Sequence, residues 1–578
     1  MEYLFSLSLG PAQEFIAAAR RTRDLWFSSW LLSELSKAAA REIGKERLIF
    51  PAVTNGDDLK PGSVFNVVNK ILAIVDDDPQ RIGDRAKTAV RKRLNDIRDR
   101  AFAEALKYLP PGFCKNKAEA QIDDLPEIYW AAVPLSCDYA SVRRRVDALM
   151  SARKNTRDFS STDKWCGKEW KSSLDGLRES VIPKAATGMR GVKKNEALCG
   201  VGLLKRFGTS NNYKEGEGFA SVPHIAAWPL IQTFSNKHRE VLKEYIEFLR
   251  AKHIDAKTAL YCPDWPHSKI FPYDGHILFE EQLKEYFDEN TQQTELDEAR
   301  KKLRSLRNEI GPAPSPYYTI LHGDGDRMGE AIDALKTVVD HRKLSQALSQ
   351  FAVEAREIVG KYYGSLIYAG GDDVLALVPL STVIKCASRL AETFKEKLID
   401  FKNAEGNSPT FSIGIGISHQ MDPLEDALRL AREAEKEAKT LSGKNGLCIK
   451  ISKRSGTVTS VCDHWGALDE RLNLFTTYHQ DDEVPDDAAY ELRRLADDLK
   501  DFPEGEKAEA YEREAARILS RKRSKHSAEA IKQSVRQKLR NCIHESSKET
   551  TKAFSAIADE LIVARLFVNK FELKGETE

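Results

Sequence analysis

The stretch LIYAGGDDVLALVP, residues 366–379, places two glycines and two adjacent aspartates between two apolar runs. The apolar runs have the composition of buried strands, and Gly370 and Gly371 suit the tight turn of a hairpin. Asp372 and Asp373 would then lie side by side at the tip of that hairpin. Two carboxylates this close repel one another, and burial strengthens the repulsion. The stretch is therefore either an ordinary solvated turn or one part of a cation site.

The segments around the hairpin extend it into a sheet. From residue 317 to 418 the pattern reads strand, helix, strand, tight turn, strand, helix, strand, which is the split βαβ arrangement of a ferredoxin-like fold. In that topology the third strand lies between the first two and runs antiparallel to both. The first strand ends in HGDGDRMG, which carries Asp324 and Asp326. We therefore expect these two carboxylates to meet the two at the hairpin tip on one rim of the sheet.

Such a rim has the chemistry of a divalent metal site. Mg²⁺ (or Mn²⁺) prefers oxygen ligands and can bind triphosphate oxygens at the same time. Two such ions activate an attacking 3′-hydroxyl and neutralise the departing pyrophosphate, as nucleotidyl transfer requires. Glycines beside the carboxylates, at 323, 325, 370 and 371, leave room for phosphate to approach the backbone. The combination favours a nucleotidyltransferase over a plain turn.

Length and composition set further limits. The 578 residues exceed what one core supports, so we expect several domains. Lys and Arg (89) nearly balance Asp and Glu (88), so the total charge does not indicate a nucleic-acid binder. The nine cysteines are scattered without a CxxC pair, which predicts reduced thiols and a cytoplasmic protein. No apolar stretch is long enough to cross a bilayer and the start lacks the features of a signal peptide, so no membrane partner is expected.

Pattern changes along the chain predict an α+β multidomain fold. Residues 1–155 alternate strands with long helices, and residues 156–310 mix tryptophan, glycine and lysine with helical runs. GPAPSP at 311–316 is the clearest linker, because its three prolines prevent continuous helix or central strand. Beyond about residue 456 the pattern is helical to the C-terminus.

Four stretches occur in an order that resembles one known family. They are GPAQEFIAAARRTRDLWFSSWLLSELS (10–36), HGDGDRMGE (322–330), AGGDD (369–373) and FSIGIGISHQMDPLEDALRLAREAEKEAK (411–439). Together they resemble the large polymerase-like subunit of type III CRISPR effector complexes, Cmr branch. The resemblance implies two ferredoxin-like palm (nucleotide cyclase-like) domains, a middle domain and a C-terminal helical bundle. Carried over, the first palm is 1–155, the middle domain 156–310, the second palm 311–455 and the bundle 456–578.

The resemblance also implies site residues. The family's metal-binding positions fall on Asp324, the Gly325 carbonyl, Asp372 and Asp373, with Asp326 as their neighbour. The first palm has LSLGPAQEF where an acidic pair would stand, so it is expected to bind nucleotide without supplying metal ligands.

The nucleotide-binding residues implied by the resemblance are two glycines and two lysines. Gly370 and Gly371 would admit the phosphates, and Lys439 and Lys444 would steady the triphosphate. The lysines could instead serve only to cap the helix that precedes them, where their charge suits the helix dipole.

The activity implied is conversion of ATP into cyclic oligoadenylate when target RNA is bound, with other Cmr-type subunits and guide RNA as partners. Two departures from the family pattern matter. The first histidine is His224, so no His-Asp (HD-type) DNase is expected. Cys166 and Cys199 stand where zinc ligands would lie but have no cysteine neighbour, and although Cys114 and Cys137 could complete a site, we expect no zinc there. A non-catalytic scaffold and a stand-alone cyclic nucleotide synthase remain alternatives.

Overall fold

Two β-sheets, each flanked by helices, form the framework of the protein in a computed structural model. Within the described part of the chain, no helix is both long and apolar enough to span a membrane. The residues that the structure describes are 1–109, 112–135, 138–156, 167, 170–183, 192–193, 195–208, 219–235, 238–252, 254, 270–287, 292–454, 457–523, 529–548 and 554–568.

The N-terminal sheet has the ferredoxin-like strand order that the family resemblance implied. Its strands lie in the order β2-β3-β1-β4, and every neighbouring pair is antiparallel. The central strand β1 is buried on both faces, because Leu4 faces one hydrophobic cluster while Phe5 and Leu7 face another. Two helices follow β1, with a break between them at 18–21. The strands are β1 (Tyr3–Gly10), β2 (Leu48–Phe50), β3 (Lys70–Val75) and β4 (Glu127–Pro134), and the helices are α1 (Gln13–Ala17), α2 (Thr22–Ile43), α3 (Pro79–Ala105), α4 (Lys115–Asp123) and α5 (Tyr139–Asn155).

The second sheet repeats this order and extends it by two strands. The full order is β10-β9-β8-β5-β7-β6, and β7 lies between β5 and β6, antiparallel to both, as predicted. Its strands are β5 (Tyr317–Asp326), β6 (Ser365–Gly370), β7 (Asp373–Val378), β8 (Thr410–His419), β9 (Gly446–Ile451) and β10 (Thr459–His464), and its helices are α10 (Met328–Ala334), α11 (Val338–Lys361), α12 (Val383–Leu398) and α13 (Leu424–Ala438).

Strand β10 corrects the prediction that the chain is helical beyond about residue 456. The segment TSVCDH pairs antiparallel with β9 and forms the edge of the sheet. The buried positions of this strand are Thr459, Val461 and Asp463, so apolar and polar residues do not alternate along it, and the long helices that follow dominate the composition of this region. An edge strand of this kind is fixed by its pairing partner, which a local pattern does not reveal.

Helices make up most of the remaining described chain. The 311–316 linker leads into β5 without regular structure, as predicted. The proposed boundaries of the four domains stay a prediction. The helices between the sheets are α6 (Gly200–Phe207), α7 (Val222–Ile231), α8 (Arg239–Ala251) and α9 (Gln293–Ile310), and those after the second sheet are α14 (Leu468–Gln480), α15 (Asp486–Asp498), α16 (Glu504–Arg521), α17 (Gln533–Lys548) and α18 (Ala556–Phe567).

Direct hydrogen bonds join residues in and around the N-terminal sheet to α11. The backbone N–H of Ala52 donates to the Ser345 hydroxyl at 2.7 Å, and the Arg342 guanidinium donates to the Leu48 carbonyl at 2.9 Å. The Tyr139 hydroxyl lies 2.7 Å from Nδ1 of the buried His341. These buried and partly buried contacts hold the two sheets in a fixed relation, and the hairpin between β6 and β7 therefore has a defined neighbour.

Gly414 lets helix α13 lie directly on β8. A Cβ at this position would lie 2.0 Å from the Glu435 backbone nitrogen and 2.5 Å from the Ala431 carbonyl oxygen. We predict that Gly414→Ala lowers the free energy of unfolding by at least about 2 kcal/mol, because the clash is with backbone that cannot rotate away. Denaturant unfolding measures the change. Gly360→Ala on α11 is the matched control, because its Cβ would meet no atom within 4 Å; equal stability of the two variants would contradict this packing.

Candidate nucleotide and metal site

The structure brings the predicted carboxylates together on one rim. Asp324 of β5 and Asp373 of β7 are register partners across the two antiparallel strands. The backbone N–H of Gly325 donates to the Asp372 carbonyl at 3.0 Å, which ties the end of β5 to the hairpin turn. Two segments separated by about fifty residues of sequence are thus adjacent in space. The hairpin of residues 366–379 lies beside the Asp-Gly-Asp segment, as expected.

Glycine is required at two positions of this rim for steric reasons. Gly371 has a φ of +63°, in the left-handed region where a side chain is strained. At Gly325 a Cβ would lie 2.8 Å from atoms of three side chains, those of Asp372, Met328 and Phe394. The backbone at the end of β5 therefore approaches the hairpin more closely than any other residue would permit.

The hairpin turn also touches the segment between β2 and β3 of the N-terminal sheet. The Asn66 amide donates to the Ala369 carbonyl at 3.2 Å, and a Cβ at Gly370 would lie 3.0 Å from Cγ1 of Val68. A small cavity of about 120 Å³ lies at this contact and includes Gly371 in its lining. The two glycines that we assigned to phosphate binding thus also serve the contact between the palms, which the sequence pattern did not indicate.

Both predicted lysines lie at the rim. Lys439 forms an ion pair with Asp324 and a second one with Glu435, at 3.1 Å, one helical turn earlier. Burial lowers the pKa of Lys439 to about 8, and the nearby charge of Lys444 contributes to the shift. Lys444 lies in the turn that follows α13, with its backbone N–H donating to the Leu441 carbonyl at 2.8 Å. In the structure, Lys439 neutralises one of the carboxylates that we assigned to metal binding.

The carboxylates of the hairpin tip are electrostatically unfavourable as they stand. Burial, followed by the neighbouring charge of Asp373, raises the pKa of Asp372 to about 6. Burial also raises the pKa of Asp373, although the charges of His322 and Arg432 oppose the shift. A bound divalent cation would favour the ionised form of both groups. Carboxylate and carbonyl oxygens are the ligands that Mg²⁺ takes, so the residues present fit this ion.

Asp326 has a different environment from its neighbours. It is fully buried and accepts hydrogen bonds from the Thr410 hydroxyl at 2.8 Å and the Ser412 hydroxyl at 2.8 and 3.0 Å. The backbone N–H of Asn445 donates to it at 3.0 Å. Both oxygens are engaged by β8 and by the turn after α13. We therefore interpret Asp326 as a residue that positions the rim, and its assignment as a metal ligand stays an untested prediction.

We predict that Asp326→Ala lowers the free energy of unfolding by about 2–4 kcal/mol, because it leaves a partly buried backbone N–H and two hydroxyls without this acceptor. Denaturant unfolding measures this change. Asp324 lies at the rim, and the matched variant Asp324→Ala is expected to lower the free energy of unfolding much less, since it only breaks the ion pair with Lys439. Equal losses in the two variants would contradict the division of roles between these aspartates.

Several rim residues were missed by the sequence analysis. Nδ1 of His322 lies 3.8 Å from a Glu435 carboxylate oxygen, and Nε2 lies 3.4 Å from the Tyr368 hydroxyl. Burial and the charges of Asp373 and Asp326 raise the pKa of Glu435 to about 7, and burial lowers the pKa of His322 to about 4. Only the spacing of these residues could have indicated their place at the rim. His322 is two residues before Asp324 on a strand and Glu435 is four residues before Lys439 on a helix, so each shares a face with a predicted site residue.

A large cleft lies near the rim, although none of the predicted carboxylates or lysines lines it. Its volume is about 1140 Å³, and it lies between α1 of the first palm, the 172–178 segment and the exposed side of α13. Arg432 lines the cleft and its charge also reaches Asp373, so the cleft and the acidic rim share this residue. Phe15 and Arg20, both from the first-palm motif, line the opposite wall. The cleft is large enough for nucleotide-sized ligands.

The cysteines considered for zinc are only partly described. Cys199 caps the start of α6, where its sulfur accepts a hydrogen bond from the Gly202 N–H at 3.3 Å. Cys114 is exposed at the start of α4. Cys137 and Cys166 lie outside the described residues. The expectation that these four cysteines bind no zinc stays a prediction.

Two family models match the chain in the regions that build the two sheets. Residues 4–99 match the N-terminal domain of the CRISPR-associated protein Cmr2, and residues 317–448 match the second palm domain of Cas10/Cmr2. The paired ferredoxin-like sheets and the acidic rim thus define a palm-domain protein. These two matches and the curated relative described next support a Cmr2/Cas10-type subunit.

A curated relative is the CRISPR system Cmr subunit Cmr2 of Pyrococcus furiosus, which is 26% identical; the match covers 78% of this chain and 62% of the relative. The chain thus spans less than two thirds of that relative's length. The fold is similar to a chain in the cryo-EM structure of type III-B Cmr-beta in the apo state, with TM-score 0.60 and 12% identity over 92% of this chain and 78% of that one. A chain in Cmr-beta bound to cognate target RNA gives TM-score 0.57 and 13% identity over 89% and 78%.

Proposed function

We propose that this protein is an ATP-using nucleotidyltransferase that makes cyclic oligoadenylate. The observation that carries the proposal is the register pairing of Asp324 with Asp373, which places the acidic end of β5 against the acidic hairpin tip. A ferredoxin-like sheet with carboxylates at this rim is suited to metal-dependent phosphoryl chemistry. The similarity to the Cmr2/Cas10 family supports the same activity.

The proposed roles follow from position. Asp324, Asp372, Asp373 and the Gly325 carbonyl would hold Mg²⁺ or Mn²⁺. When bound, this ion supplies a hydroxyl of lowered pKa and positive charge opposite the departing pyrophosphate. Gly370 and Gly371 have no side chains, so the backbone of the hairpin turn would leave room for the phosphates. The cleft of about 1140 Å³ near the rim offers space for the nucleosides.

Lys439 has a second role in the proposal. Its ion pair with Asp324 and its 3.1 Å contact with Glu435 keep the rim partly neutral before substrate binds. Lys439 would be free to turn to the triphosphate, with Lys444 close by, if a cation were held at Asp324 instead of the ammonium. Such an exchange would keep a cation opposite Asp324 throughout, so the carboxylate would not be left without a positive partner while the site assembles.

The partners belong to the same proposal. We infer that the protein acts in the cytoplasm, with other Cmr-type effector subunits, guide RNA and target RNA, and that target RNA controls the synthesis. Sequence recognition would belong to the guide RNA held by partner subunits, because base pairing carries that information more cheaply than side chains do.

Mass spectrometry of the products tests the proposal. The assembled complex is incubated with labelled ATP and Mg²⁺, with and without target RNA. We expect cyclic products of several adenylate units only when target RNA is present. No product larger than ATP would favour a non-catalytic scaffold, and equal synthesis by the isolated chain without RNA would favour a stand-alone cyclic nucleotide synthase.

A further inference from the structure

A second group of metal-ligating side chains lies away from the acidic rim. Cys448 of β9 and Cys462 of β10 are register partners on neighbouring antiparallel strands. Glu437 of α13 completes the group, and its ligand oxygen and the two sulfurs all lie within 4.8 Å of one another. Glu437 is two residues after Glu435, which places it about 200° further round the helix, so the group is separate from the rim.

The three side chains have the chemistry of a soft or borderline metal ion. Two thiols and a carboxylate match Zn²⁺ rather than Mg²⁺, which prefers oxygen ligands alone. With Zn–S bonds of about 2.3 Å, tetrahedral ligand atoms stand roughly 3.7 Å apart, so the observed spacing needs only small side-chain rotations. The strand pairing fixes the two sulfurs, and packing of α13 on β9 fixes the carboxylate.

Two further polar side chains lie around the group. The Ser460 hydroxyl donates to Glu437 at 3.0 Å and lies 3.6 Å from the Cys448 sulfur. It therefore marks the place where a fourth oxygen ligand, from the serine or from water, would stand. Nζ of Lys450 lies 2.9 Å from the other Glu437 oxygen, an outer hydrogen bond of the kind that orients ligating carboxylates.

The group is also accessible. Cys448 is fully buried, but Cys462 and Glu437 are half-buried and Ser460 is exposed, so an ion can enter from solvent. We propose that Glu437, Cys448 and Cys462 bind one Zn²⁺-like ion with an oxygen in the fourth position. The ion would cross-link α13, β9 and the edge strand β10, close to the segment that carries Lys439. This site is independent of the proposed nucleotidyl transfer.

Cobalt substitution of the full-length protein tests the proposal. Co²⁺ bound to thiolates gives a charge-transfer band in the near ultraviolet, and we expect about one such site per chain. The band should be lost in Cys448→Ser and in Cys462→Ser, and it should be weaker in Glu437→Gln. Cys386→Ser and Cys542→Ser are matched controls at buried cysteines outside the group and should keep the band. The three cysteines outside the described residues are unchanged in every variant, so any band from them is common to all.

A thermal measurement keeps the test informative if one serine variant folds poorly. Zn²⁺ should raise the melting temperature of the wild type and of Cys386→Ser, and this rise should be absent in Glu437→Gln, which keeps both thiols and the shape of the side chain. A cobalt band and a melting temperature rise that persist in all three site variants would overturn the proposal. So would a Cys448–Cys462 disulfide in the protein purified with zinc present and without added oxidant.

Discussion

Replacing both Asp372 and Asp373 with alanine is expected to abolish synthesis of cyclic oligoadenylate while the protein still folds and assembles. The two carboxylates stand at the hairpin tip, and Asp373 pairs in register with Asp324. Without them the proposed metal site loses most of its charge. Metal stabilisation of a phosphoryl transition state amounts to several kcal/mol, so the rate should fall at least about a thousandfold. Product formation from labelled ATP measures the loss.

A matched control separates loss of chemistry from loss of structure. Asp497 and Asp498 are adjacent exposed carboxylates at the end of α15, far along the chain from the rim. The double alanine variant at these positions removes the same charge and should retain full synthesis. Because burial raises the pKa of Asp372 to about 6, its removal also relieves an unfavourable charge at neutral pH. The active-site variant should therefore be no less stable than the control, and retained synthesis in it would defeat the mechanism.

Lys439→Met is expected to weaken ATP binding by about ten- to a hundredfold, as the loss of one charge-assisted hydrogen bond of roughly 1.5–3 kcal/mol implies. The same change frees Asp324 from its ion pair. Binding of Mn²⁺ in the absence of nucleotide should therefore become tighter rather than weaker. A lysine that served only to cap the helix would change neither quantity. Calorimetric titration of each ligand measures both effects.

Lys436→Met is the control for this variant. Lys436 is exposed on the same helix, three residues earlier, and carries the same charge. It should leave both affinities close to those of the wild type. Weaker Mn²⁺ binding in Lys439→Met would contradict the exchange of partners at Asp324, even if ATP binding also fell.

The acidic rim could be predicted because its two halves have local signals. The glycine-rich hairpin and the Asp-Gly-Asp at a strand end are both visible in sequence, and the strand order then brings them together. The structure confirmed the order of β5, β6, β7 and β8. Only this topology makes residues fifty positions apart register partners, so the prediction depended on correct assignment of every intervening element.

Other features depend on contacts that no local pattern encodes. Asp326 is, like Asp324, an aspartate at the end of β5, yet it accepts hydrogen bonds from β8 and from the Asn445 backbone in the core. Glu435 looks like one of many acidic residues on a charged helix until Lys439 and His322 are found beside it. Strand β10 is defined by its pairing with β9. In each case the partner, not the segment itself, determines the role.

Binding of Mn²⁺ together with a non-hydrolysable ATP analogue, followed by electron paramagnetic resonance, tests the central claim most directly. The account predicts that bound Mn²⁺ is lost when Asp324 or Asp373 is changed to asparagine, which keeps the size of each side chain, and is retained in the Asp497 and Asp498 double variant. Mn²⁺ binding that is unchanged in Asp324→Asn and Asp373→Asn would contradict a metal site at this rim.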